Sequence, residues 1–293
     1  MMSFLLLAQT LAVIVAFIFA VGDITGRLAV RHSTPYTGAL LGTFAGLVLF
    51  ALIALGSGSW EAVNLTGILW FVVAGVFYPG FGYIAIFKAF ERVGVARTAA
   101  VLGMSPMISV TIAVLFLGER PGFFELCGTA LIVLGVVSIS LEKDDGEGRM
   151  SFRKLLWPIL TAVCFGATPI LRKTGLQYLP SPVMGMLFSS LGGMFILLAC
   201  IGFIPRAQRF SRHRLGAVQY ILTGLIYALA VYLYFLALGK GAVSVVVPLV
   251  LTYPLFVLII MALAFRKLER ITPRLIVGAI LTVAGAGVIT GLG

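Results

Sequence analysis

Asp23 and Arg27 stand four residues apart near the end of the first long apolar stretch of the chain. An ionised carboxylate inside hydrocarbon is costly and is tolerated where it faces a cavity or a partner. Asp23 is therefore a candidate proton site or amine-binding group. Arg27, one turn further on, is placed to pair with it on the same helix face, which reads equally well as an interfacial ion pair. Lys88, with Glu91 three residues later, is a further candidate cation or a side chain that snorkels to the headgroups. Tyr78 and Tyr83 return as Tyr227 and Tyr232 at one spacing of 149 residues. A phenol offers an apolar face and a hydrogen-bonding tip, suited to neutral or aromatic cargo. Residues five apart on a regular helix diverge by about 140°, so at most one of each pair is expected to face an interior. Ser105, Thr168 and Tyr253 complete the polar candidates.

Other chemistries find no support. His32 and His213 fall in polar connections and form no HExxH pair, and no GxSxG elbow or GxxxxGK[ST] loop is present. An aspartyl intramembrane enzyme needs two facing aspartates, and only Asp23 lies within a span. Cys127, Cys164 and Cys200 stand singly in apolar stretches, without metal or disulfide spacing. No catalytic residue, metal or cofactor is expected, and the reading is of a carrier rather than an enzyme, with a lipid-linked substrate flippase as the alternative and an intramembrane enzyme behind it.

The elements that hold these residues follow from composition. With 61% hydrophobic and 11% charged residues and a mean hydropathy of +1.13, the chain carries more apolar surface than a soluble domain could cover. A spanning helix takes about 20 apolar residues. Segments near 4–26, 36–55, 66–87, 98–117, 123–141, 155–171, 183–204, 216–238, 242–265 and 275–292 qualify. Each must be helical, because a lone strand would leave backbone groups unpaired in lipid. The first is read as a retained helix, since no basic region precedes it and Asp23 and Arg27 occupy the place of a cleavage site.

Residues 1–141 recur in outline as 155–293, joined by the polar linker 142–154. Gly38, Gly42 and Gly46 correspond to Gly185, Ser189 and Gly193; Gly75 to Gly224; Pro106 to Pro254; Gly128 and Gly135 to Gly278 and Gly285. Five spans per copy is an odd number, so the second copy enters the membrane inverted, the usual architecture for a transport site near the midplane. The small-residue triples are expected to pack helices closely. Pro106 and Pro254, expected midway along the fourth and ninth spans, would interrupt them at matching places, as kinks or gating hinges.

Charge sets orientation. Arg27, Arg31, Lys88, Arg92, Arg97, Lys143, Arg149, Arg153, Lys154, Arg206, Arg209, Arg212, Arg214, Arg266, Lys267, Arg270 and Arg274 all fall at odd-numbered connections, leaving Arg120, Arg172, Lys173 and Lys240 for the even ones. By the positive-inside rule the odd connections are cytoplasmic and both termini face out. The net charge of +11 reports this orientation, not a nucleic-acid partner. No mid-span cation is expected, which argues against strongly anionic cargo.

Ser105-Pro106, Leu117-Gly118-Glu119-Arg120, Gly128 and Gly135, echoed by Tyr253-Pro254, Leu268-Glu269-Arg270, Gly278 and Gly285, resemble the drug/metabolite transporter superfamily, in particular its EamA-like ten-helix branch. The resemblance covers essentially the whole chain. It implies an all-α integral membrane protein, a basket of ten helices in two inverted five-helix repeats around a central cavity. The first, third, fourth, sixth, eighth and ninth helices would line it. Members are usually described with both termini in the cytoplasm, although relatives in reversed or dual orientation exist. The resulting expectation is a multi-pass carrier in a plasma membrane, the bacterial inner membrane, working as monomer or homodimer. It would move, and by expectation export, small neutral or zwitterionic metabolites, amino acids or drugs.

Overall fold

A computed structural model of the chain describes residues 2–57, 64–93, 98, 101–102, 105–140, 152–211, 213–264 and 273–292. The described elements are helical throughout. The first two spans are α1 (Met2–Val30) and α2 (Pro35–Ser57). The third is broken: α3 (Leu65–Gly75) passes through an irregular, widely wound segment (Val76–Phe81) into α4 (Gly82–Val93). Next come α5 (Ser105–Leu117), α6 (Phe123–Ser140), α7 (Phe152–Tyr178) and α8 (Pro182–Ala199). The chain ends with α9 (Arg214–Lys240), α10 (Val243–Val250), α11 (Tyr253–Ala264) and α12 (Pro273–Leu292). Five of these stretches, Leu6–Val30, Pro35–Gly56, Leu65–Val93, Pro182–Phe203 and Arg214–Lys240, are long and apolar enough to cross a bilayer unaided, and shorter apolar helices accompany them. The protein is an all-α integral membrane protein.

Local sequence sets several starts. Asn64 accepts the amide hydrogens of Thr66 and Gly67 and caps α3, Ser181 caps α8 ahead of Pro182, and the His213 ring caps α9 through Gly216. Each satisfies donors that the first helical turn leaves unpaired.

The inversion is written in close contacts. A β-carbon on Gly224 would lie 2.5 Å from the Cα of Gly42, and one on Gly75 would lie 1.9 Å from the carbonyl oxygen of Ser189. Gly42 and Ser189 are equivalent positions, as are Gly224 and Gly75. The exchange continues one turn to either side. Gly38 meets Tyr220 where Gly185 meets Phe71, and Gly46 meets Ala228 where Gly193 meets Pro79. On α6 and α12, Gly128 faces the backbone of Gly285 and Gly135 that of Gly278, so these helices run antiparallel with equivalent residues swapped. A twofold axis between two copies generates such reciprocal pairs.

Two expectations change. The sixth span extends past 171 to Tyr178, because Arg172 and Lys173 are helical rather than part of a connection. Pro106 is helical and buried at the start of the described part of the fourth span, residues 103–104 just before it lying outside the described residues. Pro254 opens α11 instead of sitting midway along a helix, after a two-residue turn at Leu251 and Thr252 separates it from α10; its side chain is outside the described residues. Most of the 142–154 linker is also outside them.

Both ends of the bundle are tied across the repeats. At one end Glu119 accepts the amide hydrogens of Val243 and Ser244 at 2.9 and 3.0 Å. Lys173 donates to Glu119 at 3.3 Å and to the Gly241 carbonyl at 2.7 Å. At the other end the rings of His32 and His213 stack with centroids 5.2 Å apart, and Thr37 links to the Arg209 carbonyl and the Ser211 amide.

Candidate functional site

Between the repeats lies a buried cavity walled by α1, the Val76–Phe81 segment, α7, α9 and the α10–α11 turn. Asp23, Tyr78, Arg172, Tyr227, Tyr234 and Tyr253 supply its polar groups, and Phe19, Phe165 and the α10 valines its apolar wall. Spacing explains the wall. Phe165, Thr168 and Arg172 follow a helical stripe on α7, Phe19 and Asp23 are one turn apart on α1, and Tyr227 and Tyr234 are two turns apart on α9.

Asp23 is only 5% exposed. Its Oδ1 accepts a hydrogen bond from the Tyr227 hydroxyl, so a residue of the second repeat holds the carboxyl of the first. Arg172 is 2% exposed. Its Nη2 donates to the Tyr78 carbonyl at 3.2 Å, and its guanidinium carbon lies 5.5 Å from the Tyr78 ring and 5.0 Å from that of Phe235. A desolvated guanidinium over aromatic faces gains cation–π stabilisation. Its Nε has no partner. The expectation of a span without buried cations is thereby corrected.

A second cavity adjoins the first and shares Tyr78, Arg172 and Tyr227 with it. Gly42 and Gly46 from α2 and Ser189 from α8 form part of its wall, with Tyr83. The small-residue stripes thus do two things: they pack closely against Tyr220, Gly224, Phe235, Gly75 and Pro79, and three of their members, Gly42, Gly46 and Ser189, also contribute to the wall of the second cavity.

The tyrosines split differently from the helical expectation. Tyr78 and Tyr83 both turn inward, with ring centroids 4.8 Å apart, because Tyr78 adopts an extended backbone (φ −153°, ψ 118°) ahead of Pro79 and resets the angular count. On unbroken α9 the rule holds. Tyr227 faces the cavity, while Tyr232 is half-buried against Phe50 at 5.8 Å.

The other candidates scatter. Thr168 and Tyr253 line the first cavity, although the Thr168 hydroxyl donates to the Cys164 carbonyl. Arg27 is exposed on α1 and does not engage the Asp23 oxygen that Tyr227 holds. Lys88 lies 4.6 Å over the Trp157 ring, away from both cavities. Ser105 is buried without a partner where α5 meets α7, outside the cavity walls, and Pro106 is buried beside it. Arg172 and Tyr234 are what the sequence reading missed as cavity residues. The signal was present in the i, i+3, i+7 stripe on α7 and in the seven-residue step from Tyr227.

No cluster of three or more metal-ligating side chains occurs among the described residues. The arrangement is a buried, aromatic-walled chamber between inverted halves, with one carboxyl and one guanidinium among its described wall residues, which is the construction of a multi-pass membrane carrier. The chain belongs to the EamA-like transporter family, whose sequence profile matches residues 6–141 and again 152–291. Similar proteins include the "Uncharacterized transporter YxxF" of Bacillus subtilis (strain 168), 22% identical over 147 residues, which covers 48% of this chain and 44% of that protein. An "Uncharacterized transporter" of Clostridium kluyveri is 21% identical over 139 residues, covering 46% of this chain and 45% of that protein. The matches thus span less than half the length of these curated relatives. A solved structure described only as "Crystal structure of protein" is similar in fold, with TM-score 0.72 and 18% identity over 98% of this chain and 96% of that one.

Proposed function

We propose that the protein is a secondary carrier of the plasma membrane that moves small organic solutes, whether metabolites, amino acids or drugs, by alternating access. The observation that carries this reading is the chamber itself: both repeats build its walls, and it holds a buried carboxyl and a buried guanidinium. Polar groups this deep in a membrane protein are expensive, and they mark substrate or ion pathways. The ties at both ends of the bundle support an occluded form, in which Glu119 and Lys173 close one side while the His32–His213 stack closes the other. Opening either side then means breaking one set of contacts and keeping the other, which is how inverted repeats rock about a fixed site.

Asp23 serves as the proton-binding group in this reading, since its carboxyl is the one acid on the described cavity walls and a gradient must supply the work. Counterflow of radiolabelled solutes into proteoliposomes tests carriage directly. Asp23→Asn is expected to flatten the pH dependence of transport while exchange at a fixed pH persists. A pH profile identical to that of the unaltered protein would leave Asp23 a structural residue held by Tyr227.

A further inference from the structure

Six buried side-chain polar atoms among the described residues lack a hydrogen-bond partner, and four of them, on Thr43, Tyr78, Arg172 and Ser189, belong to residues lining the second cavity. A buried donor left without a partner keeps its full desolvation cost, so four such groups on residues of one cavity wall mark a site suited to an acceptor-rich group. Three are hydroxyls and the fourth is a guanidinium N–H. The first cavity, which shares Tyr78, Arg172 and Tyr227 with this one, is otherwise walled mostly by rings and aliphatic chains. One end of the chamber thus wants oxygen acceptors and negative charge, and the other wants an apolar body.

Building on the carrier reading, we infer that the cargo is a monocarboxylate with an aromatic or aliphatic body, its acid group held by Arg172 and Tyr78, and that one proton travels with it on Asp23. The single guanidinium sets the charge at one. With Arg172 cationic and Asp23 ionised, the empty chamber is neutral. A bound carboxylate would leave it at minus one, and a net charge surrounded by hydrocarbon is costly. Protonation of the Asp23 carboxyl, with the proton taken from the aqueous side that loads the substrate, restores neutrality. Asp23 is already engaged by Tyr227, whereas the Arg172 Nε is not engaged, so the unmet need is for an anion rather than an ammonium group. The titratable groups around Asp23 are phenols apart from this arginine: Tyr227 and Tyr234 from α9, Tyr78 from the irregular segment, Tyr83 from α4 and Tyr253 from α11. Within the cavity wall α10 contributes only apolar side chains, and the phenol of α2, Tyr36, is committed to the Leu197 carbonyl. Among the described residues of the two cavity walls no second acid is available to take the proton.

The test uses purified full-length protein and a matched series, 4-hydroxyphenylacetate, its amide 4-hydroxyphenylacetamide, and tyramine. The acid is expected to bind at least tenfold more tightly than the amide or the amine, which corresponds to about 1.4 kcal/mol. On the alkaline side its affinity should fall about tenfold per pH unit, as uptake of one proton requires. Asp23→Asn should abolish that slope, and Arg172→Gln the preference for acid over amide. Uptake of the acid driven by a pH gradient should be unchanged when the membrane potential is clamped at a different value. The inference is overturned if the amide or tyramine binds as well as the acid, if none of the three binds, or if the acid's affinity ignores pH. Should an altered Arg172 fail to fold, the wild-type ligand series decides alone. Counterflow separates the two claims: a protein that exchanges tyramine but ignores the acid remains a carrier and loses the carboxylate site.

Discussion

The carboxylate of Glu119 is surrounded by two amide donors and an ammonium group, and each comes from the second repeat. Burial alone would raise its pKa, but the amides of Val243 and Ser244 and the Lys173 charge outweigh burial and hold it below the ordinary 4.5. A depressed carboxyl adds stability that is fully present above the ordinary pKa and is lost as pH falls through the depressed value. The latch should therefore hold through neutral and mildly acidic conditions and fail only in stronger acid. Glu119→Gln keeps one oxygen acceptor and loses the charge; it is expected to cost about 1–3 kcal/mol near neutrality and to remove the acid-dependent part of the melting curve. Thermal melts across about pH 3 to 8 check both. Position in sequence alone marked Glu119 as a motif residue and nothing more, because its partners lie 54, 124 and 125 residues away. Arg172 was harder still. A basic residue after an apolar run ordinarily marks the end of a span, and only the helix continuing to Tyr178 puts it at depth.

Among the helices, the legible features were those encoded by local periodicity and by small residues. The glycine triples correctly marked close approach, and the reciprocal contacts of Gly42 with Gly224 and Ser189 with Gly75 give that mark its geometry. Gly75→Ala would place a methyl group 1.9 Å from a backbone oxygen that cannot retreat without moving α8. Its cost should reach or exceed the about 1–3 kcal/mol of ordinary overpacking. Gly287→Ala, whose added β-carbon would meet no heavy atom within 4 Å, should be neutral or stabilise α12 by up to about 1 kcal/mol. Comparing the yield of monodisperse protein and the melting temperature of the two variants checks the contrast, and equal behaviour would refute it. What periodicity could not supply was the break at Tyr78 and Pro79. Angular bookkeeping assumes one continuous helix, and a single extended residue turns Tyr78 back toward Tyr83.

At the scale of the whole molecule, an odd number of spans per copy demanded inversion, and the exchanged contacts on α6 and α12 satisfy it. Which end faces the cytoplasm rests on the Lys and Arg bias. By that expectation the segment joining the repeats would lie inside the cell, along with the His32–His213 end. Gly148→Cys should accordingly resist a membrane-impermeant thiol reagent in intact cells and react in inverted vesicles; labelling in intact cells would reverse the orientation. Native thiols interfere little, since Cys164 is buried and Cys127 and Cys200 are partly covered.

Pro79 and Ala228 occupy twin positions, yet one sits at a break and the other in an unbroken rod. A carrier whose halves could trade shapes perfectly would spend equal time facing each compartment when empty. In the proposed carrier the bent rod has no bent counterpart to trade with, so its two resting forms would differ in free energy and in abundance. Cargo arriving from opposite compartments would then meet unequal numbers of open doors, and half-saturating concentrations measured from the two faces should not agree.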